Sequence, residues 1–290
     1  MASSNDDKAE EWIQKGDQKL RGFSLFQSSQ TKYEDAAEFY TKGANLYKMA
    51  KKWDQAGSAF VKAAECQIKA QSKHEAATNY VNAANCFKKS NVNDAANCFR
   101  QAVELFTDEG RFSIAAKHQK ELSELYEQEQ LFEQAIESYQ VAADYYEGEG
   151  QGSAANSCLL KVAQYAAQLE NYDKAIELYE KIAKSSLESN LLKWSVKDYY
   201  LKAGLCHLCA EDVVSAKRAL EKYQEQDVTF SSTRECKLLQ DLVSAYEAYD
   251  VDAFTQAIVE YDSISKLDQW KTTILLRIKN HIKNEDKGLA

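Results

Sequence analysis

Alanine recurs along this chain at an almost constant interval of 20 residues, and this repeat limits the possible folds more than any other feature. Eight alanines follow one another at steps of 19 or 20 residues: Ala36, Ala56, Ala76, Ala95, Ala115, Ala135, Ala155 and Ala175. Most of them are followed four residues later by an aromatic residue, as Ala36 is by Tyr40. Residues i and i+4 share one helix face, so each unit presents a small side chain beside a large one. The repeat therefore predicts successive helices of about 20 residues, paired into hairpins.

Composition agrees with a helical fold. The 290 residues contain no proline and only 10 glycines. Sandwiches and barrels need turn residues about every 8–12 positions, and dinucleotide-binding folds need glycine-rich loops, so both classes are excluded. We predict an all-α fold: a right-handed α-solenoid of hairpins like those of tetratricopeptide repeats, capped by a C-terminal helical bundle.

The regular repeat loosens after about Leu187, which suggests two domains. We expect residues 1–187 to form helical hairpins, with an apolar loop near residues 22–30, and residues 188–290 to form the bundle. The last helix is expected over about Leu267 to Asn284, where isoleucines at i+4 steps alternate with lysines. We interpret it as a packed capping helix rather than a membrane-surface helix, followed by a mobile tail.

Charge and cysteine content narrow the possible environments. The chain carries 36 basic and 45 acidic residues, a net charge of −9, which argues against general nucleic-acid binding. Seven cysteines, an odd number, favour reduced thiols over a disulfide framework. The acidic N-terminus does not resemble a signal peptide, and no apolar run approaches the length of a membrane span. We expect a soluble, cytoplasmic protein.

Motifs for catalysis and metal binding are weak. Cys206-His207-Leu208-Cys209 is a single C-x-x-C, whereas a zinc ribbon needs two and a redox pair is expected near a βαβ pattern. We therefore interpret it as buried and structural. The histidines are scattered and match no zinc or triad motif. We predict no enzymatic activity, cofactor or metal site, with a thiol oxidoreductase that uses both cysteines as the alternative.

An apolar segment interrupts the first helical stretch. Gly22-Phe23-Ser24-Leu25-Phe26 places three large apolar residues in a predicted loop, and Lys15, Lys19, Arg21 and Lys32 flank it. Such a tip suits the interface of an anionic bilayer, where apolar burial and electrostatic attraction add. A packed turn is the alternative, and the residues alone leave both open.

Several longer segments resemble the α-SNAP family of soluble NSF attachment proteins (Sec17-like). They include Gly110 to His118, Leu191 to Tyr199 and Glu260 to Trp270, and the resemblance runs nearly end to end. It implies a twisted sheet of antiparallel helical hairpins over residues 1–187, followed by the bundle. It also implies an adaptor in vesicle trafficking and membrane fusion, which binds SNARE complexes and recruits and stimulates the AAA+ ATPase NSF. A generic tetratricopeptide-like co-chaperone or scaffold is the alternative.

The resemblance also implies roles for individual residues. Several copies would wrap the four-helix SNARE bundle through Lys51, Lys88, Arg111, Lys117, Lys161 and Lys197, with Leu191 as an apolar contact. Phe23, Leu25 and Phe26 would attach the protein peripherally to membranes. Asp212, Glu247 and Leu289 would bind or stimulate NSF. Ser157, Ser244 and Ala248 depart from the family pattern, Ser157 replacing a lysine and the other two replacing acids, so weaker contacts are expected there. Asp250 and Asp252 are candidates to compensate for the missing acids.

Overall fold

The structure is a computed structural model that describes the backbone of residues 2–22, 28–189 and 191–289. It describes the side chains of residues 5–22, 28–189 and 191–284. Within these ranges the chain forms α-helices and short 3-10 turns and no strand, which confirms the all-α prediction. The tetratricopeptide-like hairpin pattern is confirmed as well, because helices of similar length follow one another with short connections.

The helices occupy most of the chain. Their bounds are α1 (Ala2–Arg21), α2 (Ser29–Met49), α3 (Trp53–Lys69), α4 (Lys73–Phe87), α5 (Val92–Asp108), α6 (Phe112–Gln128), α7 (Phe132–Gly148), α8 (Gly152–Gln168), α9 (Tyr172–Leu187), α10 (Val196–Cys209), α11 (Val213–Gln226), α12 (Arg234–Glu247), α13 (Val251–Ile264) and α14 (Gln269–Leu289). Two 3-10 turns, Lys193–Ser195 and Val228–Ser232, precede α10 and α12. The connections between consecutive helices are short, for example residues 70–72 and 129–131, as the 20-residue repeat requires.

The chain divides into two compact units, Met1–Cys158 and Leu159–Ala290. The first unit contains α1 to α7 and the start of α8, and the second contains the rest of α8 and α9 to α14. The domain boundary that the loosening repeat suggests, between residues 187 and 188, stays a prediction.

The repeat alanines form the packed layer between successive helices. All eight, from Ala36 to Ala175, are completely buried. The aromatic partners are buried too, among them Tyr40 and Phe99. A side chain as small as alanine lets two helix backbones approach closely, and the large ring fills the space beside it. The repeat visible in the sequence is therefore the packing pattern of the hairpins.

A left-handed residue ends most of these helices, which explains how a chain without proline makes its turns. After α3, Gln71 has a φ of 63°, its N–H donates to Ile68 O, and the Ser72 N–H donates to Gln67 O. This pair of bonds is a Schellman motif, which satisfies carbonyls that the helix leaves free. The same arrangement follows α2 at Lys51 and α10 at Glu211.

The second unit has an aromatic centre and a long closing helix. Tyr200 stacks on Tyr223 with ring centroids 4.3 Å apart, and Phe230 packs edge-on against Tyr200. In α14, Ile274, Ile278 and Ile282 are buried, which confirms a packed helix. The helix continues to Leu289, beyond the predicted end at Asn284. No described helix is both long and apolar enough to cross a membrane.

Candidate protein-binding surfaces

Four of the basic residues predicted to bind SNAREs lie in the first unit. Lys51 is exposed in the α2–α3 turn, and Arg111 is exposed in the α5–α6 turn, with its Nε 3.8 Å from Glu109 Oε2. Lys117 is exposed on α6, and Lys88 directly follows α4. Because consecutive helices are antiparallel, the α5–α6 turn lies at the opposite edge of the array from the α2–α3 and α4–α5 turns. The basic set therefore reaches across the unit instead of following one edge.

Lys88 and Lys117 come together around a single carboxylate. His118 Nδ1 lies 3.2 Å from Glu121 Oε2, and this hydrogen bond holds the pKa of Glu121 below its ordinary value. Burial opposes the shift, while the charges of Lys117 and Lys88 add to it. The charges of two lysines from the predicted set thus act on one carboxylate.

Aromatic packing holds this cluster in place. The His118 ring stacks on Phe106 with centroids 5.6 Å apart, and the Lys88 ammonium lies 5.8 Å from the centre of the Phe99 ring. His118 and Phe99 are both buried. The backbone that carries Lys88 and Lys117 is therefore packed next to buried aromatic rings.

The other three predicted SNARE-binding residues lie in the second unit. Lys161, in α8, is half-buried, and its ammonium lies 5.8 Å from the centre of the Tyr165 ring. Lys197 Nζ, in the first turn of α10, lies 3.3 Å from Glu235 Oε1. Leu191 is 88% exposed in the segment before α10. A single exposed leucine is common on protein surfaces, so Leu191 indicates a contact surface only together with exposed apolar neighbours.

Two exposed apolar residues beside the predicted set were not identified from the sequence. Trp194 is 75% exposed in the 3-10 turn after Leu191, and Met49 is 70% exposed next to the α2–α3 turn that carries Lys51. Tryptophan is enriched among the residues that contribute most to protein interfaces. A tryptophan in a break between helices, surrounded by lysines, is the signal that could have found the first of them.

Both acidic residues predicted to bind NSF have a structural contact. Asp212 caps α11, accepting a hydrogen bond from the Ser215 N–H at 2.8 Å, and bonds to Ser215 hold its pKa below the ordinary value. Glu247, at the end of α12, forms an ion pair with Lys217 of α11. The two acids therefore belong to one corner of the second unit, where α11 begins and α12 ends.

A groove between α12 and α13 continues from this corner. Its walls include Asp241, Asp250 and Glu260, its floor is made of small residues such as Ala245 and Ala257, and its volume is about 380 Å³. Ser244 and Ala248, the two departures from the family pattern, line it as well. Asp250 also caps α13 through the Ala253 N–H at 2.8 Å. The acidic character of this surface therefore depends on Asp241 and Glu260 as much as on the predicted acids.

Four predicted residues fall outside the part of the chain whose side chains are described: Phe23, Leu25, Phe26 and Leu289. In sequence, the first three follow α1 and precede α2. Of the cations that flank it, Lys19 pairs with Asp35 at 2.6 Å and Lys15 with Glu11 at 2.7 Å.

The C-x-x-C pair has the properties of structural cysteines. Cys206 is fully buried, and burial raises its pKa well above the ordinary thiol value. Burial also raises the pKa of Cys209 to about 12. Since the thiolate is the reactive form, burial makes both thiols less reactive than an exposed cysteine. Among the described residues, no group of histidines, cysteines and acids is arranged to hold a metal ion.

Comparison with known proteins identifies the family. The model of the soluble NSF attachment protein (SNAP) family matches residues 7–283. The α-soluble NSF attachment protein of Dictyostelium discoideum is 55% identical over 99% of both chains. The human protein of that name is 47% identical, covering 92% of this chain and 90% of its own. A probable vesicular-fusion protein sec17 homolog of Schizosaccharomyces pombe is 41% identical over 93% of both chains.

Solved structures outside the family are more distant. A signalling ATPase with a tetratricopeptide repeat sensor, from Pyrococcus horikoshii, has a TM-score of 0.49 and 15% identity, covering 89% of this chain and 40% of that one. A likeness this weak carries no argument about function. The relatives and the family model, in contrast, match nearly the whole chain and confirm the resemblance found in the sequence. The chain belongs to the soluble NSF attachment protein family.

Proposed function

We propose that this chain is an adaptor, not an enzyme: it binds SNARE complexes, and it recruits and stimulates NSF, whose ATP hydrolysis disassembles them. The observation that carries the proposal is the family match over residues 7–283. The relatives are named for attachment of NSF and for vesicular fusion. The adaptor acts in the cytoplasm, at the surface of membranes.

The basic residues supply the attraction to SNAREs. A SNARE bundle is an acidic coiled coil, and complementary charge speeds association and favours the correct partner. The Lys88–Lys117 cluster around Glu121 supports this role, because it provides local positive charge on a chain whose net charge is −9. An exposed ion pair contributes only about 0–1 kcal/mol, so tight binding needs many pairs and several copies of the adaptor on each bundle.

When a SNARE complex binds, ion pairs within this chain are replaced by ion pairs with SNARE side chains. Lys197 is paired with Glu235 at 3.3 Å, and Arg111 lies near Glu109. An acidic SNARE side chain must compete with these internal partners, which reduces the net gain from each contact. Leu191 and the neighbouring Trp194 add apolar burial that does not depend on salt. The proposed interface therefore combines a salt-sensitive part with a salt-insensitive part.

At the other surface, NSF is bound by the acidic corner of the second unit. Asp212 and Glu247 mark this corner, and the groove with Asp241 and Glu260 extends it. Leu289, close to the end of the chain, stimulates the ATPase after docking. An apolar residue placed in a pocket on NSF contributes about 1.5–3 kcal/mol, which is a modest share of a multi-contact interface.

A disassembly assay tests the proposal. Purified SNARE complex, NSF and ATP are combined with and without this protein, and loss of the complex is followed over time. We expect disassembly only when the protein is present. Absence of disassembly with folded protein and active NSF would refute the adaptor function.

Charge reversal tests the SNARE-binding residues. Lys117→Glu together with Lys161→Glu should weaken binding to the SNARE complex at least tenfold, because an acidic partner is repelled at two positions. Exposed lysines outside the set, Lys69 and Lys184, serve as controls when reversed in the same way. The loss should shrink at high salt, where exposed charges are screened. Equal binding by the wild type and the first variant at low salt would remove these residues from the interface.

Membrane attachment is tested with two phenylalanine variants. Phe23→Ser with Phe26→Ser should reduce binding to anionic liposomes, since each buried phenylalanine contributes about 1.5–3 kcal/mol. Disassembly of membrane-embedded SNARE complexes should slow, while soluble complexes are disassembled at the normal rate. Equal slowing of both substrates would support a packed turn instead.

A further inference from the structure

Three hydrogen bonds tie α14 to the C-terminal end of α8. The indole Nε1–H of Trp270 donates to Gln164 O at 3.1 Å. The guanidinium of Arg277 donates to Ala167 O at 3.0 Å and to Gln168 O at 2.9 Å. We name these five residues the α8–α14 clamp; all of them lie in the second unit. Because the last carbonyls of a helix have no partner within that helix, Arg277 helps to cap α8, together with the Glu170 N–H that donates to Ala167 O.

Further contacts hold the clamp in a single arrangement. Arg277 Nη1 also lies 3.3 Å from the hydroxyl of Tyr172, in the first turn of α9. The Trp270 ring packs edge-on against Tyr179 at 5.9 Å. The guanidinium is a planar fork with fixed donor directions, so bonds to two successive carbonyls specify the rotation and the height of α14 along α8. Apolar burial of Ile274 and Ile278 holds α14 against its neighbours but does not by itself specify the rotation or the height of that helix.

The two clamped helices carry the two proposed binding functions. Lys161, proposed to contact SNAREs, lies in α8 three residues before Gln164. The helix α14 continues from Arg277 to Leu289, which is proposed to stimulate NSF. A helix rises about 1.5 Å per residue, so a change in the tilt or height of α14 at Arg277 moves its far end by a comparable or larger amount.

Building on the proposed function, we infer that Trp270 and Arg277 are positioning residues that couple SNARE binding at α8 to the stimulation of NSF by the end of α14. Contact of the SNARE bundle with α8 restrains the position of that helix, and the clamp passes the restraint to α14. Without the clamp, both partners still bind, but Leu289 no longer arrives in the position that stimulates ATP hydrolysis. The clamp is therefore a coupling between two sites and belongs to neither of them.

Conservative variants separate coupling from binding. Arg277→Gln removes the positive charge and the paired donors of the guanidinium, whereas Arg277→Lys keeps only the charge. Trp270→Phe keeps an aromatic ring against Tyr179 but removes the indole N–H donor. Lys279→Gln removes a cation from the same helix without changing any of the three hydrogen bonds, and is the matched control. For each full-length variant, three quantities are measured: the Kd for the SNARE complex, the adaptor concentration that half-saturates NSF, and the maximal ATPase rate.

We expect Arg277→Gln to lower the maximal ATPase rate about fivefold, with Arg277→Lys and Trp270→Phe intermediate and the control unchanged. The Kd and the half-saturating concentration should stay within about twofold of wild type. Hydrogen exchange in the last turn of α8 should increase in the clamp variants, which shows that the clamp has opened. Wild-type α14 should gain protection when the SNARE complex binds, and Arg277→Gln should not.

Two results would overturn the inference. One is an unchanged maximal rate in a variant whose α8 amides show that the clamp has opened. The other is a fall in SNARE affinity that matches the fall in rate, because that indicates general structural damage. If Arg277→Gln unfolds, Trp270→Phe decides between these outcomes. Failure of the proposed function looks different: the wild type itself would not stimulate NSF, or Leu289→Ala would stimulate as well as the wild type.

Discussion

The two units differ in how far apart in sequence their contacting residues lie. In the first unit, polar contacts join helices that are adjacent or one helix apart: Tyr40 of α2 donates to Asp17 of α1 at 2.6 Å, and Lys62 of α3 lies 3.4 Å from the same carboxylate. In the second unit, α14 reaches back more than 100 residues, from Arg277 to Ala167. The first unit is therefore closed step by step, and the second is closed by its last helix.

This difference predicts different cooperativity. In a stack of repeats, each element contacts its neighbours, and stability is approximately a sum of local terms and nearest-neighbour terms. In the second unit, removal of one contact on α14 affects helices that are distant in sequence. The first unit should open in parts, whereas the second should open as a whole.

The largest expected effect tests that difference directly. Phe99→Ala in α5 and Phe230→Ala in the second unit each remove a fully buried ring, and each should lower the free energy of unfolding by about 3–5 kcal/mol. Hydrogen exchange should accelerate only around α4 to α6 in the first variant, but throughout α10 to α12 in the second. A spread of equal extent in the two variants would contradict the comparison.

A smaller effect is expected from the ion pairs of the two units. Lys271 is buried and pairs with Asp198 at 2.6 Å, so Lys271→Met should cost about 1.5–3 kcal/mol, because Asp198 loses one charged partner and keeps Lys202. Lys73→Met removes the exposed pair with Asp108 and should leave the midpoint of denaturant unfolding unchanged. Equal shifts in the two midpoints would show that burial does not distinguish these pairs.

The same pair predicts a pH window for stability. Burial raises the pKa of Asp198, but Lys202 and Lys271 together lower it below the ordinary value. Its contribution is therefore complete above the unfolded pKa of about 4 and is lost as the pH falls through the lower folded value. Burial lowers the pKa of Lys271, but its acidic partners raise it overall, so its contribution is lost only as the pH rises above about 10.5. Lys271→Met removes one of the cations that lower the pKa of Asp198. The free energy of unfolding, measured with denaturant, should therefore differ less between pH 7 and pH 3 in this variant than in the wild type.

The smallest effect concerns the left-handed turn residues. Gln71→Gly in the first unit should stabilise by about 1 kcal/mol, because glycine adopts a positive φ without the steric cost that glutamine carries. Glu211→Gly in the second unit should gain less, since Glu211 lies 3.1 Å from His281 of α14 and that contact is lost. Equal gains would show that the His281 contact contributes nothing.

Many features of the fold could be predicted from the sequence, but the candidate sites only in part. The helices, their connections and the buried alanines follow from the 20-residue repeat. The basic and acidic residues could be named through the family resemblance. Their partners could not: Glu121 beside Lys88 and Lys117, Glu235 beside Lys197, and Lys217 beside Glu247 become visible only in the structure. Trp194 was missed because residue type alone does not show that a tryptophan is exposed.

The sequence by itself determined the local architecture of this protein, because the helix period, the spacing of alanines and the turn lengths depend on residues within about 20 positions of one another. Only the tertiary structure decided which charges are neutralised and which helix closes the second unit. Those outcomes depend on residues such as Trp270 and Arg277, whose acceptors lie 106 and 110 positions away. The contribution of a polar group to stability depends on its burial and on its hydrogen-bond partners, and both are determined by tertiary contacts rather than by the neighbouring sequence.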